Sequence, residues 1–238
     1  MAPSVPEKGT FDPGLPPHKS HSHEDTHSTG DADDSSDCPF CRIAATYAPY
    51  DPSNPPTPRP NPSSPSTSPA ADYQDPLDPE RTSPDPSTFI VLSTPQLIGF
   101  LDIMPLSTGH VLLCPRKHRP LLTDSTPQES AELGRYLRVL SAAVGKATGV
   151  RDWNVVQNNG AAAAQVVPHM HFHIIPRPGL RDKGGERFTS TMFGRGQREE
   201  LDDDEGKVLA ERIRGCVADV LRLEFEGTSE LNGKKAKL

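Results

Sequence analysis

One short stretch, Pro168 to Arg177, constrains the fold of this chain more than any other. Three histidines alternate there with apolar residues, and prolines close both ends. Strict alternation of this kind predicts a β-strand. Because alternate side chains of a strand point to opposite faces, His169, His171 and His173 are predicted to share one face while the residues between them face a core. Three imidazoles on one face indicate a catalytic or metal-binding surface.

The rest of the chain is too polar to form one uniform globule. Only 33% of the 238 residues are hydrophobic, and 27 are prolines. Residues 1–36 and 46–87 are rich in Pro, Ser and Asp, which predicts a disordered N-terminal arm and a disordered insert. The folded domain is then expected over 37–178, apart from the insert. Residues 179–238 are predicted to form a loop, a C-terminal amphipathic helix and a short basic tail.

Periodic apolar segments predict regular structure within the folded domain. Besides the histidine strand, four further strands are predicted, over 89–92, 97–103, 110–115 and 153–157, and the first two should form a hairpin. Thr126, followed by Pro127 and by Glu129 at the third position, marks the start of a helix. Leucines at helical spacing continue it to about Lys146.

Charge and cysteine content exclude several classes of protein. A net charge of −7 argues against nucleic-acid binding, which requires a basic face. No apolar run reaches the roughly 20 residues of a membrane helix, and residues 1–30 lack the apolar region of a secretory signal. Of four cysteines, Cys38 and Cys41 form a Cys-x-x-Cys motif, which favours a metal site in a reducing compartment. We therefore expect a cytoplasmic and/or nuclear protein.

Small residues precede the histidine strand and suggest its ligand. Asn158-Asn159-Gly160 and the turn at Ala164-Gln165 offer backbone N–H groups to an anion, and phosphate fits that setting. A neutral imidazole can attack phosphorus, and a neighbouring imidazolium can protonate a leaving group. The pattern therefore indicates phosphorus chemistry and leaves the substrate open.

Four motifs in order resemble the histidine triad (HIT) family. His169 to Ile175 matches its His-φ-His-φ-His-φ-φ signature, where φ is an apolar residue. The other motifs are Leu101-Asp102-Ile103-x-Pro105 with Gly109-His110-Val111, Pro115-x-Lys117-His118, and Asn158-x-Gly160 leading to Gln165. With the Cys pair, the resemblance runs from about residue 38 to 178, excluding the insert.

The resemblance implies a fold and an activity. The fold would be α+β, an antiparallel sheet with helices on one side, in a homodimer. The activity would be transfer of a purine nucleotidyl group to water through a nucleotidyl-histidine. By position, His171 resembles the nucleophile, and His173 the residue that contacts phosphate and assists the leaving group.

The resemblance also implies the remaining site residues. Asp102 matches the residue that binds both ribose hydroxyls, a role suited to its two acceptor oxygens. The other expected nucleotide-binding residues are Asn158, Gln165 and Val166 near the phosphate, and Phe40, Ile43, Phe100 and Ile103 around the base. For these four apolar residues, ordinary core packing is the open alternative. Some relatives carry Ser or Thr in place of Val166, so a hydroxyl contact to phosphate would be missing here.

The Cys-x-x-Cys motif resembles part of a zinc site in this family. His118 and His169 would complete the tetrahedral set with Cys38 and Cys41, and the zinc would be structural. A reduced, metal-free cysteine pair is the alternative.

Three functions fit the resemblance. The first is an adenosine 5′-phosphoramidase-like hydrolase, which Asp102 favours because the sister branch often has Asn there. The second is a diadenosine polyphosphate hydrolase of that sister branch. The third is a nucleotide-binding regulatory module, for which the arm and insert would recruit partners.

Overall fold

The structure is a computed structural model of the chain. It describes residues 37–56, 75–82, 87–178, 198 and 200–235. The predicted N-terminal arm, the middle of the predicted insert and nearly all of the predicted loop after residue 178 lie outside these residues. Among the described residues, no helix combines the length and apolar character that crossing a membrane requires.

Five antiparallel strands form one sheet, which confirms the α+β prediction. The strands are β1 (Ile90–Ser93), β2 (Leu97–Leu101), β3 (Val111–Pro115), β4 (Trp153–Gln157) and β5 (Phe172–Pro176). Their order across the sheet is β1-β2-β3-β5-β4, and β1 and β2 form the predicted hairpin. The histidine strand thus lies between β3 and β4.

The two faces of the sheet have different coverings. Helices α2 (Pro127–Thr148) and α3 (Asp203–Lys235) pack with one face in the larger core, which includes Val111, Leu113 and Ile174. The short helix α1 (Pro39–Thr46) packs on the other face against Ile98 and Phe100. Because each side chain's face follows from strand register, Phe100, Leu112 and His173 form one row on the α1 side.

Local sequence explains why α2 begins and ends where it does. The Thr126 hydroxyl accepts from the Glu129 amide at 3.1 Å, and the Glu129 carboxylate accepts from the Thr126 amide at 2.7 Å. This reciprocal pair satisfies two backbone donors that a helix start leaves unpaired. Gly149 ends the helix with a left-handed φ of 73°, as expected for a C-terminal glycine.

Both ends of the predicted insert pack against the domain. Tyr47 is fully buried, and its hydroxyl donates to the carbonyl of Asp78 at 2.8 Å, with the Thr88 carbonyl 3.4 Å away. On the same side, Arg116 donates to the carbonyls of Ala44 and Tyr47 at 2.6 Å each. Residues 47–56 and 75–82 are therefore held beside β1 and the end of α1.

The histidine strand is shorter than the sequence indicated. Strand β5 begins at Phe172, whereas His169 and His171 were expected inside the strand. The backbone before Phe172 bonds elsewhere, because the Met170 amide donates to the Arg119 carbonyl at 2.6 Å and the His169 amide to the Val167 carbonyl at 2.8 Å. This departure from the sheet lets His169 turn toward α1, away from the cavity that His171 and His173 line.

Candidate functional site

A cavity of about 570 Å³ lies on the α1 face of the sheet. Its walls are formed by helix α1, the end of β2, β3, residues 158–167 and the histidine strand. The predicted site residues on this cavity are Phe40, Ile43, Phe100, Asp102, Ile103, Asn158, Val166, His171 and His173. The sequence therefore identified residues from distant parts of the chain that the fold brings together.

His171 presents an unprotonated nitrogen. Its Nδ1 lies 2.7 Å from the carbonyl oxygen of His169, which can only accept a hydrogen bond. In the neutral ring the proton is therefore on Nδ1, and Nε2 keeps its lone pair. Burial lowers the pKa of His171, opposed by its bond to the His169 carbonyl, so the ring is neutral near pH 7. A neutral imidazole with a free Nε2 is a competent nucleophile.

His173 is linked to a buried histidine, His110, that sequence reasoning did not assign to the site. Nε2 of His110 lies 3.0 Å from Nδ1 of His173. Burial lowers the pKa of His173 to about 4, and the neighbouring His171 and Arg198 add to this effect. His110 is only 1% exposed, and burial, with His173 beside it, lowers its pKa to about 2. Both rings are therefore neutral, and each carries one proton.

The Nδ1 atom of His110 has two neighbours of opposite character. The Leu106 amide donates to it at 3.2 Å, and Oδ2 of Asp102 lies 3.3 Å away. With the amide bond, Nε2 of His110 donates to His173, whose own proton is then on Nε2. If Nδ1 of His110 instead donates to Asp102, its Nε2 accepts from Nδ1 of His173. Nε2 of His173 then has no proton and becomes an acceptor. His173 can thus present either a donor or an acceptor to the cavity.

Asp102 is a buried carboxylate at the end of β2. Its Oδ1 accepts from the Met104 amide at 2.9 Å, and Nη1 of Arg198 is 3.6 Å from its Oδ2. Burial raises the pKa of Asp102, while the Met104 amide and Arg198 oppose that rise. Two acceptor oxygens on the cavity wall suit a vicinal diol.

Aromatic rings form the apolar end of the cavity. The rings of Phe40 and Phe100 are 5.2 Å apart and meet edge to face at 69°. Phe40 also meets the ring of His171 edge to face, with centroids 5.1 Å apart. Phe40 therefore takes part in core packing and lines the cavity, so the two alternatives left open by the sequence both hold for it.

Gln165 differs from the other predicted nucleotide-binding residues because it does not line the cavity. Its Oε1 accepts from the Gly160 amide at 2.6 Å, and its Nε2 donates to the Pro120 carbonyl at 2.8 Å. It therefore closes residues 160–165 into a loop and ties that loop to the segment after β3. Val166, which follows, has 90% of its surface exposed at the cavity wall.

Cys38, Cys41, His118 and His169 form a four-residue cluster that could hold a metal. Their ligand atoms all lie within 4.8 Å of one another. Nδ1 of His169 is 3.3 Å from Sγ of Cys38, and Nδ1 of His118 is 3.3 Å from Sγ of Cys41. In a tetrahedral zinc site, a sulfur and a nitrogen ligand lie about 3.6 Å apart, which is close to these separations.

The hydrogen bond behind His169 also fits a metal in this cluster. Nε2 of His169 lies 2.9 Å from the Pro115 carbonyl, so it carries the ring proton and leaves the Nδ1 lone pair facing the thiols. Burial, opposed by that carbonyl, lowers the pKa of His169 to about 4, so the ring is neutral as a ligand must be. The cluster and the cavity share a wall, because Phe40 lies between Cys38 and Cys41.

His110 and Arg198 were not among the site residues predicted from the sequence. His110 is the middle residue of the motif Gly109-His110-Val111, and its place in that motif was the available signal. Arg198 belongs to residues 179–238, whose sequence predicts only a loop, a helix and a basic tail. Its sequence carries no signal, because nothing near residue 198 indicates a contact with β2.

Comparison with known proteins agrees with this geometry. A family model described as HIT domain matches residues 84–180. An uncharacterized HIT-like protein of Methanocaldococcus jannaschii is 39% identical over 90 residues, which are 37% of this chain and 67% of that protein. A zinc-bound histidine triad family protein of Mycobacterium smegmatis has a TM-score of 0.51 at 22% identity over 79% of this chain and 99% of its own. That structure supports the fold.

Two further relatives are matched over shorter parts. An adenylylsulfatase of Arabidopsis thaliana is 47% identical over 77 residues, 32% of this chain and 39% of that protein. An adenosine 5′-monophosphoramidase of Schizosaccharomyces pombe is 42% identical over 81 residues, 34% of this chain and 58% of that protein. The chain thus spans less than two thirds of either relative.

Proposed function

This chain belongs to the histidine triad (HIT) family, and from that premise we propose that it hydrolyses adenosine 5′-phosphoramidates. The observation that carries the proposal is the Nδ1 bond of His171 to the His169 carbonyl, which leaves Nε2 as a nucleophile at the cavity. The monophosphoramidase relative supports this substrate class.

The proposed reaction has two displacements at phosphorus. In the first, Nε2 of His171 attacks the α-phosphorus and the phosphorus–nitrogen bond to the leaving amine breaks. The amine takes its proton from Nε2 of His173, which would be an imidazolium once the anionic phosphate lies beside it. In the second, water attacks the nucleotidyl-histidine, the bond to His171 breaks, and AMP leaves. The water proton returns to His173, which restores both rings.

Recognition of the nucleotide divides the cavity into three regions. Phe40, Ile43, Phe100 and Ile103 would hold the purine base by apolar contact and ring stacking. Asp102 would accept hydrogen bonds from both ribose hydroxyls. Asn158 and the chain at Val166 would border the phosphate, and Gln165 would hold that border in shape through Gly160 and Pro120.

The Cys/His cluster supports a structural zinc ion. Cys38, Cys41, His118 and His169 supply two sulfur and two nitrogen ligands, the usual set for tetrahedral structural zinc. A metal there would tie α1 to the segment before β5 and so fix Phe40 against His171. Thiolate ligands persist in a reducing compartment, which favours the cytoplasm and/or nucleus.

Strand β4 supports a homodimer. It is an edge strand of the sheet, and its Trp153 and Val155 are 46% and 44% exposed. An exposed apolar edge invites pairing with a second strand. Trp153→Glu should shift the protein from dimer to monomer in analytical ultracentrifugation, whereas Leu223→Glu on exposed α3 surface should leave the dimer intact.

The deciding experiment compares turnover of adenosine 5′-phosphoramidate and a diadenosine polyphosphate by the wild type, His171→Ala and Arg212→Ala. We expect the phosphoramidate to be preferred, activity to be lost in His171→Ala, and activity to be retained in Arg212→Ala, which lies outside the cavity. Preference for the diadenosine substrate would assign the protein to that alternative activity. AMP binding without turnover of either substrate would identify a regulatory module, and full activity in His171→Ala would refute the mechanism.

A further inference from the structure

Arg198 adds a positive charge to the ribose end of the cavity from outside the matched family region. The HIT match ends at residue 180, whereas Arg198 lies beyond it and lines the cavity. Its Nη1 donates to the Met104 carbonyl at 3.1 Å and lies 3.6 Å from Oδ2 of Asp102. A second interaction thus holds the guanidinium beside the carboxylate.

The backbone that follows Arg198 is fixed to the same edge of the cavity. The Leu201 amide donates to the Ile103 carbonyl at 2.9 Å, and Leu201 packs against the larger core. One residue later, the Asp202 carboxylate accepts from the amides of Asp204 and Glu205 at 3.0 and 3.1 Å, as an N-cap of α3 does.

Helix α3 is in turn anchored to the sheet. Arg214 is buried and donates to the Ile90 carbonyl at 2.6 Å. At Gly206, a Cβ atom would lie 2.7 Å from the Phe89 ring, so the helix approaches β1 as closely as a glycine allows. The position of Arg198 is therefore coupled to a packed helix.

Asp102 needs such support because its surroundings disfavour a charge. The carboxylate is buried, and to accept from two ribose hydroxyls it must be ionised with both oxygens oriented outward. The Met104 amide engages Oδ1, and Arg198 is the nearest cation to Oδ2 among the described residues.

Resting on the proposed nucleotide-binding function, we propose that Arg198 is a positioning residue for the ribose site. It holds the Asp102 carboxylate in the ionised, oriented form that binds the 2′ and 3′ hydroxyls. Because Arg198 acts through the carboxylate, its contribution should exist only for ligands that carry those hydroxyls. Chemistry at His171 should not depend on it.

The test measures binding of AMP and of 2′,3′-dideoxy-AMP by calorimetry to the full chain. Arg198→Met should weaken AMP binding about tenfold and leave dideoxy-AMP unchanged, the loss expected for one charge-assisted interaction. Arg198→Lys should recover part of the affinity for AMP. Arg212→Met, an exposed arginine of α3 away from the cavity, is the matched control and should bind both ligands as the wild type does.

Kinetics separate this inference from the proposed function. If the wild type hydrolyses the phosphoramidate, Arg198→Met should raise KM about tenfold with kcat within about twofold. Equal losses for AMP and dideoxy-AMP would mean that Arg198 only supports the fold, and tighter AMP binding would mean that it competes with ribose. Either result overturns the proposal. A wild type that binds AMP without turnover refutes the hydrolase but leaves the binding comparison decisive.

Discussion

Nε2 of His110 and Nδ1 of His173 are joined by a hydrogen bond of 3.0 Å within the cavity wall. Because Nδ1 of His110 is close to both the Leu106 amide and Asp102, the pair can hold its protons in either of two arrangements. His173 can therefore present either a donor or an acceptor to the cavity, and the proton position on His110 sets which. This relationship leads to the first prediction.

His110→Gln should lower kcat about 100-fold and change KM little. Glutamine can place a donor near Nδ1 of His173, but it cannot pass a proton from one side to the other. Steady-state turnover of the phosphoramidate measures both constants. Since His110 is buried, a thermal melt must first show that the variant folds. A folded variant with kcat within about threefold of wild type would contradict this role of His110.

Cys38→Ser should abolish stoichiometric zinc binding and lower the melting temperature by roughly 5 °C or more. Loss of one ligand leaves three, and α1 is then no longer held to His169. Elemental analysis of the purified protein gives the metal content. Cys216→Ser is the matched control, because Cys216 is a buried cysteine on α3 outside the cluster. Zinc retained equally in both variants would remove Cys38 from the site.

Phe40→Ala should raise KM for the adenosine substrate about tenfold or more, because the base would lose an aromatic wall. KM is expected to change more than kcat, since Phe40 contacts the ring edge of His171 without a polar group. Phe225→Ala serves as the control, because Phe225 is 77% exposed on α3. The base-pocket assignment fails if the two variants have the same KM.

The capping pair at the start of α2 should make stability depend on pH. Burial would raise the pKa of Glu129, but hydrogen bonds from Thr126 and Arg119 outweigh it, so the folded pKa lies below the usual value of 4.5. The stabilisation is therefore complete above about pH 4.5 and is lost as the pH falls through the folded pKa.

Glu129→Gln, which keeps an N3 side chain able to cap, should cost about 1 kcal/mol of unfolding free energy at about pH 7. The difference from wild type should be smaller at about pH 3 than at about pH 7, because protonation of the carboxylate as the pH falls below 4.5 removes its charge. Urea unfolding at both pH values provides the comparison. A cost that does not change with pH would mean that the charge of Glu129 contributes nothing.

The sequence predicted best those features that depend on spacing along one strand. Alternation indicated the strand that carries His173, and the family motifs led to Asp102 and His118 at distant positions. Alternation could not show that the chain leaves the sheet before Phe172. The Met170 amide bonds to Arg119, which is far away in the sequence, and the His169 amide bonds within a turn to Val167. Periodicity carries no information about such partners.

The missed residues have a common physical origin. His110 obtains its role from His173, 63 positions away, and its place in the Gly109-His110-Val111 motif does not indicate that contact. Arg198 reaches the cavity only because α3 is anchored to β1 and Leu201 to Ile103. Gln165 was predicted near the phosphate, but its hydrogen bonds brace a loop, which depends on the position of Pro120.

The hydroxyl of Tyr47 gathers the two ends of the proline-rich insert at one point of the domain. This contact affects how much it costs to change the length of the segment between the two ends. Because closure entropy depends only on the logarithm of loop length, doubling that segment would cost about 0.6 kcal/mol once its ends are fixed. The insert can therefore lengthen, shorten or change its sequence while the domain keeps its cavity. By fixing the ends of the insert, Tyr47 separates changes in the insert from changes in the cavity.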